Sequence, residues 1–513
     1  MSSSTRTVEP VVVTRDDPRY AALLDRGYNR RSRASPERIS VVGSTEHVVE
    51  AVDRAVQAGQ RIGVRSGGHC LETLVDDVEH LIDFTRMRSI SHDPARNAIV
   101  IEPGATMGEI YQTLHHTWGV TLPGGDCNAV AAGGHIPGNG FGTMARRHGL
   151  IADHLYAVET VVVGADGVPR AVVATREEDD PNRDLWWAHV GGGGGTFGAA
   201  TRFWMRSPGA VGTDPARLLP TPPRAQCAVQ AVWDWADLDE DRLVRLAANF
   251  GAWCEENSAP GSPGTRLYGT LGMRRVEAGQ VRVTAFIDPT EPGAEAVLAD
   301  FLARVSAGLL VTPRVSRSAS AAWLTAALAF PDSSVAQGVL GPPRWKSKIA
   351  ILNRRYTDEQ IATAFGHLTR PDYAGPSSGL SLTTYGGRIN APAPGATAFP
   401  HRAGTVLAGF FSVWDTPADD ERHLEWNRRL YRDVHAATGG VPEPNGHTDG
   451  IAPNWPDLDL LDAAWNSSPL PVGALYHKEN LLPLRRAKAA WDPHSVFRHP
   501  LSTQPHADPA APL

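Results

Sequence analysis

Four cysteines in 513 residues, Cys70, Cys127, Cys227 and Cys254, are too few to make a disulfide framework. Runs of lysine or arginine are also missing. With 49 basic against 56 acidic residues the net charge is −7, so nucleic acid is not an expected partner. No apolar run is long enough to cross a bilayer, and no membrane partner is expected. The opening MSSSTRTVEP lacks the apolar stretch of a secretory signal. These absences point to a soluble cytoplasmic protein with no structural metal. The chain has 50 glycines, many of them clustered. Clustered glycine in a chain without repeats marks places where backbone approaches a ligand closely.

Three such clusters follow one another. Residues 1–35 are polar and are expected to cover the surface. Ile39 to Val42 reads as a strand, Ser44 as a helix N-cap, Val48, Val52 and Val56 as one helix face, and Gly59 as its stop. The next strand, Arg61 to Arg65, runs into Ser66-Gly67-Gly68-His69-Cys70. A glycine loop after a β-α-β unit is where α/β folds place ligands, and its N–H groups suit an anion. Strands follow at Leu81 to Phe84 and from Ala98, then a helix over Met107 to Trp118. The second cluster is Gly124-Gly125-Asp126-Cys127 with Gly133-Gly134-His135 and Gly138 to Gly142. A hairpin with an Asp166-Gly167 turn precedes the third, Gly191 to Gly195. Proline-rich residues 215–223 mark a domain crossing, beyond which strands (Arg282 to Ile287, Thr405 to Trp414) alternate with helices, one over Asp420 to Ala437. A helix over Pro483 to Trp491 closes the chain. The expected division is 1–210, 211–448 and a returning segment 449–513.

In order along the chain, Arg65-Ser66-Gly67-Gly68-His69, Cys127 with Gly133-Gly134-His135, Asp184-Leu185-Trp186-Trp187 with Gly191 to Gly198, Tyr385-Gly386-Gly387-Arg388, Phe399-Pro400-His401-Arg402 and Trp491-Asp492-Pro493 resemble the berberine-bridge-type oxidases of the vanillyl-alcohol-oxidase/PCMH superfamily. The nearest look is to bacterial members that oxidise sugars on natural products, or the scaffold itself. The resemblance implies an α+β fold: a PCMH-type FAD-binding domain with a substrate domain of antiparallel sheet covered by helices. It implies FAD attached twice, through His69 to the flavin 8α-methyl and through Cys127 to C6. Arg65, Ser66, Gly67, Gly68, Gly133, Gly138, Gly194 and Gly195 are implied neighbours of the dinucleotide. His135 either lines the flavin or is a structural histidine. Asn480 belongs to a segment beside the flavin, and Asn139 replaces a usual glycine. Ala132 matches a position whose size controls oxygen entry, so fast reaction with O₂ and release of H₂O₂ are expected.

Alcohol oxidation also needs a base for the hydroxyl proton. Relatives carry a Tyr-x-Asn-Tyr segment; here it reads Ala452-Pro453-Asn454-Trp455, with both tyrosines gone. Three replacements are candidates: Tyr385, His148 and Tyr476. Trp455 would wall a sugar ring or a planar scaffold. The expected activity is oxidation of an alcohol, hemiacetal or activated C–H of a natural product or saccharide. Oxidative cyclisation or desaturation, and a flavoprotein that sequesters a drug, are the alternatives.

Overall fold

A computed structural model of the chain describes residues 10–32, 34–329 and 343–506. The expectation about the first nine residues lies outside the described residues.

The N-terminal part builds two sheets. In the first, strands run in the order Val11–Thr14, Arg38–Val41, His80–Asp83, Ile62–Arg65, and the last three are parallel. The helix Thr45–Gln57 connects the second strand to the fourth. It starts where the Ser44 hydroxyl accepts the His47 N–H at 3.3 Å, and stops before Gly59, whose φ of +64° suits glycine. Its buried face is Val48, Ala51, Val52 and Ala55. Burying side chains of this kind contributes about 1.5–3 kcal/mol for each large one. The second sheet is antiparallel, in the order Ile90–Asp93, Ala98–Ile101, Ala199–Met205, Leu155–Val163, Pro169–Thr175. The helix Met107–Trp118 lies where the sequence puts it. Thr106 and Glu109 close a capping box at its start and Gly119, at φ +69°, ends it.

Residues 225–450 form one antiparallel sheet of nine described strands, from Arg314–Arg317 at one edge to Thr448–Gly450 at the other. Its two faces differ because side chains alternate along each strand. On one face Val229, Ala231, Leu271, Val283 and Phe410 pack under the helices Glu240–Glu256, Ala294–Val305, Asp358–Thr369 and Asp420–Val434. Trp253 and Phe301 meet edge-on there at 4.8 Å. On the other face the same strands present Gln226, Gln230, Thr270, Thr284, Ser381 and Thr383 to a cavity.

Two expectations change. The helix from Asp420 ends at Val434 rather than Ala437, because His435 leaves helical geometry and its Nδ1 bonds the Tyr431 carbonyl at 2.9 Å. Nor do the described residues before Ser35 merely cover a surface. Val11–Thr14 is a sheet strand with Val13 buried, and Asn29 is buried, donating to the carbonyls of Leu71 and Trp345 at 2.8 and 2.9 Å. In the last segment the helix Leu481–Trp491 packs on Arg183–His189, and Phe497 pairs with Ile62 of the first sheet. Buried Lys488 fixes this packing by donating to the carbonyls of Thr196 and Phe497 and to Asp492, at 2.5, 2.6 and 2.5 Å.

Candidate active site

The polar face of the large sheet and all three glycine clusters enclose one cavity of about 1520 Å³. Ordinary small-molecule pockets hold about 300–1,000 Å³, so there is room for a dinucleotide and a second molecule.

The loop after Arg65 turns on close contacts. A methyl group on Gly67 would come within 2.9 Å of the Ala131 nitrogen, and Gly68 has φ +74° with the Arg26 carbonyl 3.0 Å from where its side chain would be. At Gly133 a methyl would meet Ser66 Oγ at 2.1 Å. Gly134 differs: a side chain there would have nothing within 4 Å and would project into the cavity. Among the described residues, the N–H groups of Ser66, Gly67, Gly68, Gly134, Gly194 and Gly195 have no protein acceptor. Unpaired N–H groups around a space that a side chain would fill fit an anionic dinucleotide such as FAD.

His69 and Cys127 both line this cavity, one from each of the first two loops. The His69 ring stacks on Tyr28, centroids 4.5 Å apart and 18° from parallel. Sequence reasoning missed Tyr28, since nothing in its neighbours marks it.

Other expected site residues occupy different environments. Ser66, Gly67, Gly68, Gly133, His135, Gly138, Gly194 and Gly195 line the cavity. Arg65 reaches its edge, but its guanidinium is engaged by Asp83, 2.8 Å away, and by the Leu23 carbonyl at 2.6 Å. Arg65 therefore holds the strand end. His135 accepts the Gly125 N–H at 2.8 Å through Nε2, and burial pushes its pKa down to about 4, so it is neutral. Asn139 takes the left-handed conformation that glycine would supply, at φ +64°, and its Oδ1 accepts the Ala152 N–H at 3.2 Å.

Four expectations need correction. Ala132 is fully buried in the core with Ile99, Ile136 and Phe203, on the side of its short helix turned from the cavity; Val130 and Ala131 line the cavity instead. Asn480 is buried and donates to the carbonyls of Pro394 and Thr397 at 2.9 and 3.0 Å, away from the cavity. His148 also lies off the cavity lining, and burial pushes its pKa down to about 3. Tyr385 packs behind Phe141, ring centroids 5.3 Å apart, and Phe141 is the ring that faces the cavity.

Tyr476 does line the cavity, but its hydroxyl accepts the Asp457 N–H at 3.0 Å, and burial first, then Asp457, raise its pKa well above the ordinary tyrosine range. It holds the altered Ala452 to Trp455 segment in place. Pro453, Asn454 and Trp455 line the cavity. Next to Tyr476, the His477 imidazole lines the cavity at 6% exposure with Nδ1 unpaired among the described residues, and burial pushes its pKa down to about 3.

Over 497 residues the chain is 46% identical to the aclacinomycin-N/aclacinomycin-A oxidase of Streptomyces galilaeus, across 96% of this chain and 90% of that one. The chain belongs to the berberine-bridge-like FAD-linked oxidoreductases. Residues 36–170 match the family described as FAD binding domain and residues 453–503 the one described as berberine and berberine like. The hexose oxidase of Chondrus crispus is 29% identical over 94% of this chain and 92% of its own length. The crystal structure of a glycopeptide hexose oxidase complexed with teicoplanin superposes with a TM-score of 0.92 at 42% identity, over 97% of this chain and 99% of that one. Within this family, FAD is the dinucleotide that the glycine cradle fits. The described residues contain no helix long and apolar enough to cross a membrane.

Proposed function

We propose that this oxidoreductase holds FAD covalently through His69 and Cys127 and oxidises a hydroxyl or hemiacetal carbon of a natural product or saccharide, with O₂ as the final acceptor and H₂O₂ as product. The observation that carries the reading is the two-sided sheet. Its cavity face presents the neutral hydrogen-bonding groups Gln226, Gln230, Thr270, Thr284, Ser381 and Thr383, with Arg274 and Arg282 beside them, opposite the loops bearing His69 and Cys127. Neutral donors and acceptors suit a hydroxylated ligand, and Phe411 on this face and Trp455 elsewhere in the lining add apolar surface. The names of the relatives agree with this class: one oxidises aclacinomycins, one a hexose.

FAD supplies the two-electron acceptor. The chain supplies the rest. Ser66 to Gly68, Gly194 and Gly195 would bind the phosphates with backbone N–H groups. His69, set against Tyr28, and Cys127 would anchor the ring at two points. Tyr476 positions the 453–457 segment, and the large sheet excludes bulk water from the reacting carbon.

Anaerobic mixing with aclacinomycin N, aclacinomycin A and D-glucose tests the reading. Bleaching of the visible flavin band by any of them supports it. A spectral shift without bleaching by all of them favours a drug-binding flavoprotein.

A further inference from the structure

Removing Tyr385 and His148 from the cavity wall, and engaging the Tyr476 hydroxyl, leaves the oxidation without the bases the sequence offered. The described lining of the cavity contains three carboxyl groups, Asp25, Glu72 and Asp126. Two of them face cations: Arg30 donates to Asp25 at 3.2 Å, and the Lys346 ammonium sits against Glu72. Asp126 has no ion-pair partner among the described residues. Its hydrogen bonding comes from Thr143, whose N–H donates to Oδ1 at 3.3 Å.

Its position is also specific. Asp126 immediately precedes Cys127, at the entrance of the second glycine loop. Phe141 and Tyr268, ring centroids 5.8 Å apart, line the cavity with it. On its other side is a small void walled by Tyr111, Gln226 and Trp323. A lone carboxyl in such a wall is costly to keep, and groups of this kind gather at reaction sites. Burial pushes its pKa up to about 6, which suits a base working near neutral pH. Titratable neighbours do not compete in that range. Tyr111 and Tyr268 are both raised above the ordinary tyrosine value by burial, with Asp126 adding to it, and His135, beyond Gly125, is neutral. Cys127 is taken up as a thioether in the proposed function.

We propose that Asp126 is the general base of this oxidation, taking the proton of the substrate hydroxyl. The inference rests on the function proposed above. The O–H bond breaks and its proton goes to the Asp126 carboxylate. The oxygen's electron pair closes the C=O bond while the adjacent C–H bond gives up a hydride to the FAD acceptor. Asp126 then returns its proton to water, and O₂ takes the two electrons with two protons as H₂O₂. His477 lines the same cavity with Nδ1 unpaired among the described residues, and would hydrogen-bond a neutral substrate oxygen.

The test compares wild-type holoenzyme with Asp126→Asn and Asp126→Glu in anaerobic stopped-flow, using the same three probes across pH. Asp126→Asn keeps the acceptor for Thr143 and removes the base. It is expected to slow reduction at least about 100-fold at unchanged flavin content. The acid limb of the wild-type rate profile, near pH 6, is expected to vanish with it. Asp126→Glu should recover part of the rate. Equal rates in wild type and Asp126→Asn overturn the assignment and leave the proposed function standing. If no probe reduces the wild type, the proposed function fails, and Asp126 is judged by infrared difference spectra of the holoenzyme. A protonated-carboxyl band that is missing from Asp126→Asn and titrates near pH 6 supports a poised base. A carboxylate that stays ionised down to about pH 4, like a free aspartate, overturns it.

Discussion

The Lys346 ammonium lies 2.8 Å from Asp457 Oδ1 and also holds Glu72. Both carboxylates are buried. Glu72 belongs to the loop that carries His69, Lys346 to the large sheet, and Asp457 to the segment that carries Trp455. One buried cation therefore joins the three walls of the cavity. Lys348 and Asp459 extend the cluster, with Lys348 Nζ 2.6 Å from Asp457 and 2.7 Å from Asp459.

Replacing Lys346 with Met is expected to cost about 3–5 kcal/mol, since it leaves buried carboxylates short of a cation. Chemical denaturation of the variant measures this. Flavin content should fall together with stability, because the His69 loop loses its tie to the sheet. A variant as stable as wild type would contradict the cluster's role.

Stability should fall as the solution is acidified through mildly acid pH. Burial pushes His135, His189 and His435 each down to about 4. In the unfolded chain they titrate near about 6.5. Between these values the unfolded state binds more protons, so the stability present above about pH 6.5 is lost progressively down to about pH 4. Denaturant midpoints at about pH 7.5, 6 and 5 should decrease in that order.

Much of this arrangement was legible in the sequence, and the misses have physical causes. The Ser44 cap and the Gly59 stop placed the helix at Thr45 because those signals are local. The glycine clusters marked the cavity because close approach dictates glycine. Ala132 and Asn480 were misplaced for a different reason: which side of a short helix faces a ligand depends on a one-residue rotation that the sequence does not reveal. The Tyr385 and His148 side chains were displaced by tertiary packing, Tyr385 by Phe141. Tyr28 and Lys346 were missed because their partners lie far along the chain, at His69 for one and at Glu72 and Asp457 for the other.

Ala132→Leu should therefore act on the core, not on oxygen. Overpacking a fully buried site costs about 1–3 kcal/mol. A lower melting temperature with an unchanged rate of flavin reoxidation in air is expected. A slowed reoxidation at unchanged stability would return Ala132 to the cavity.

Gly133 and Gly134 separate fold from ligand. Gly133→Ala puts a methyl 2.1 Å from Ser66 Oγ and should lower stability. Gly134→Ala projects into open cavity space, so the melting temperature without flavin should be unchanged while flavin content drops. Full flavin content in Gly134→Ala would show that the dinucleotide does not approach this backbone.

The most direct measurement of the central claim is the mass and fluorescence of the protein after acid denaturation, in wild type, His69→Ala, Cys127→Ala and the double variant. Two-point attachment predicts that flavin stays with the wild-type chain and with each single variant, and leaves only the double variant. Release of free FAD from denatured wild type would contradict the account.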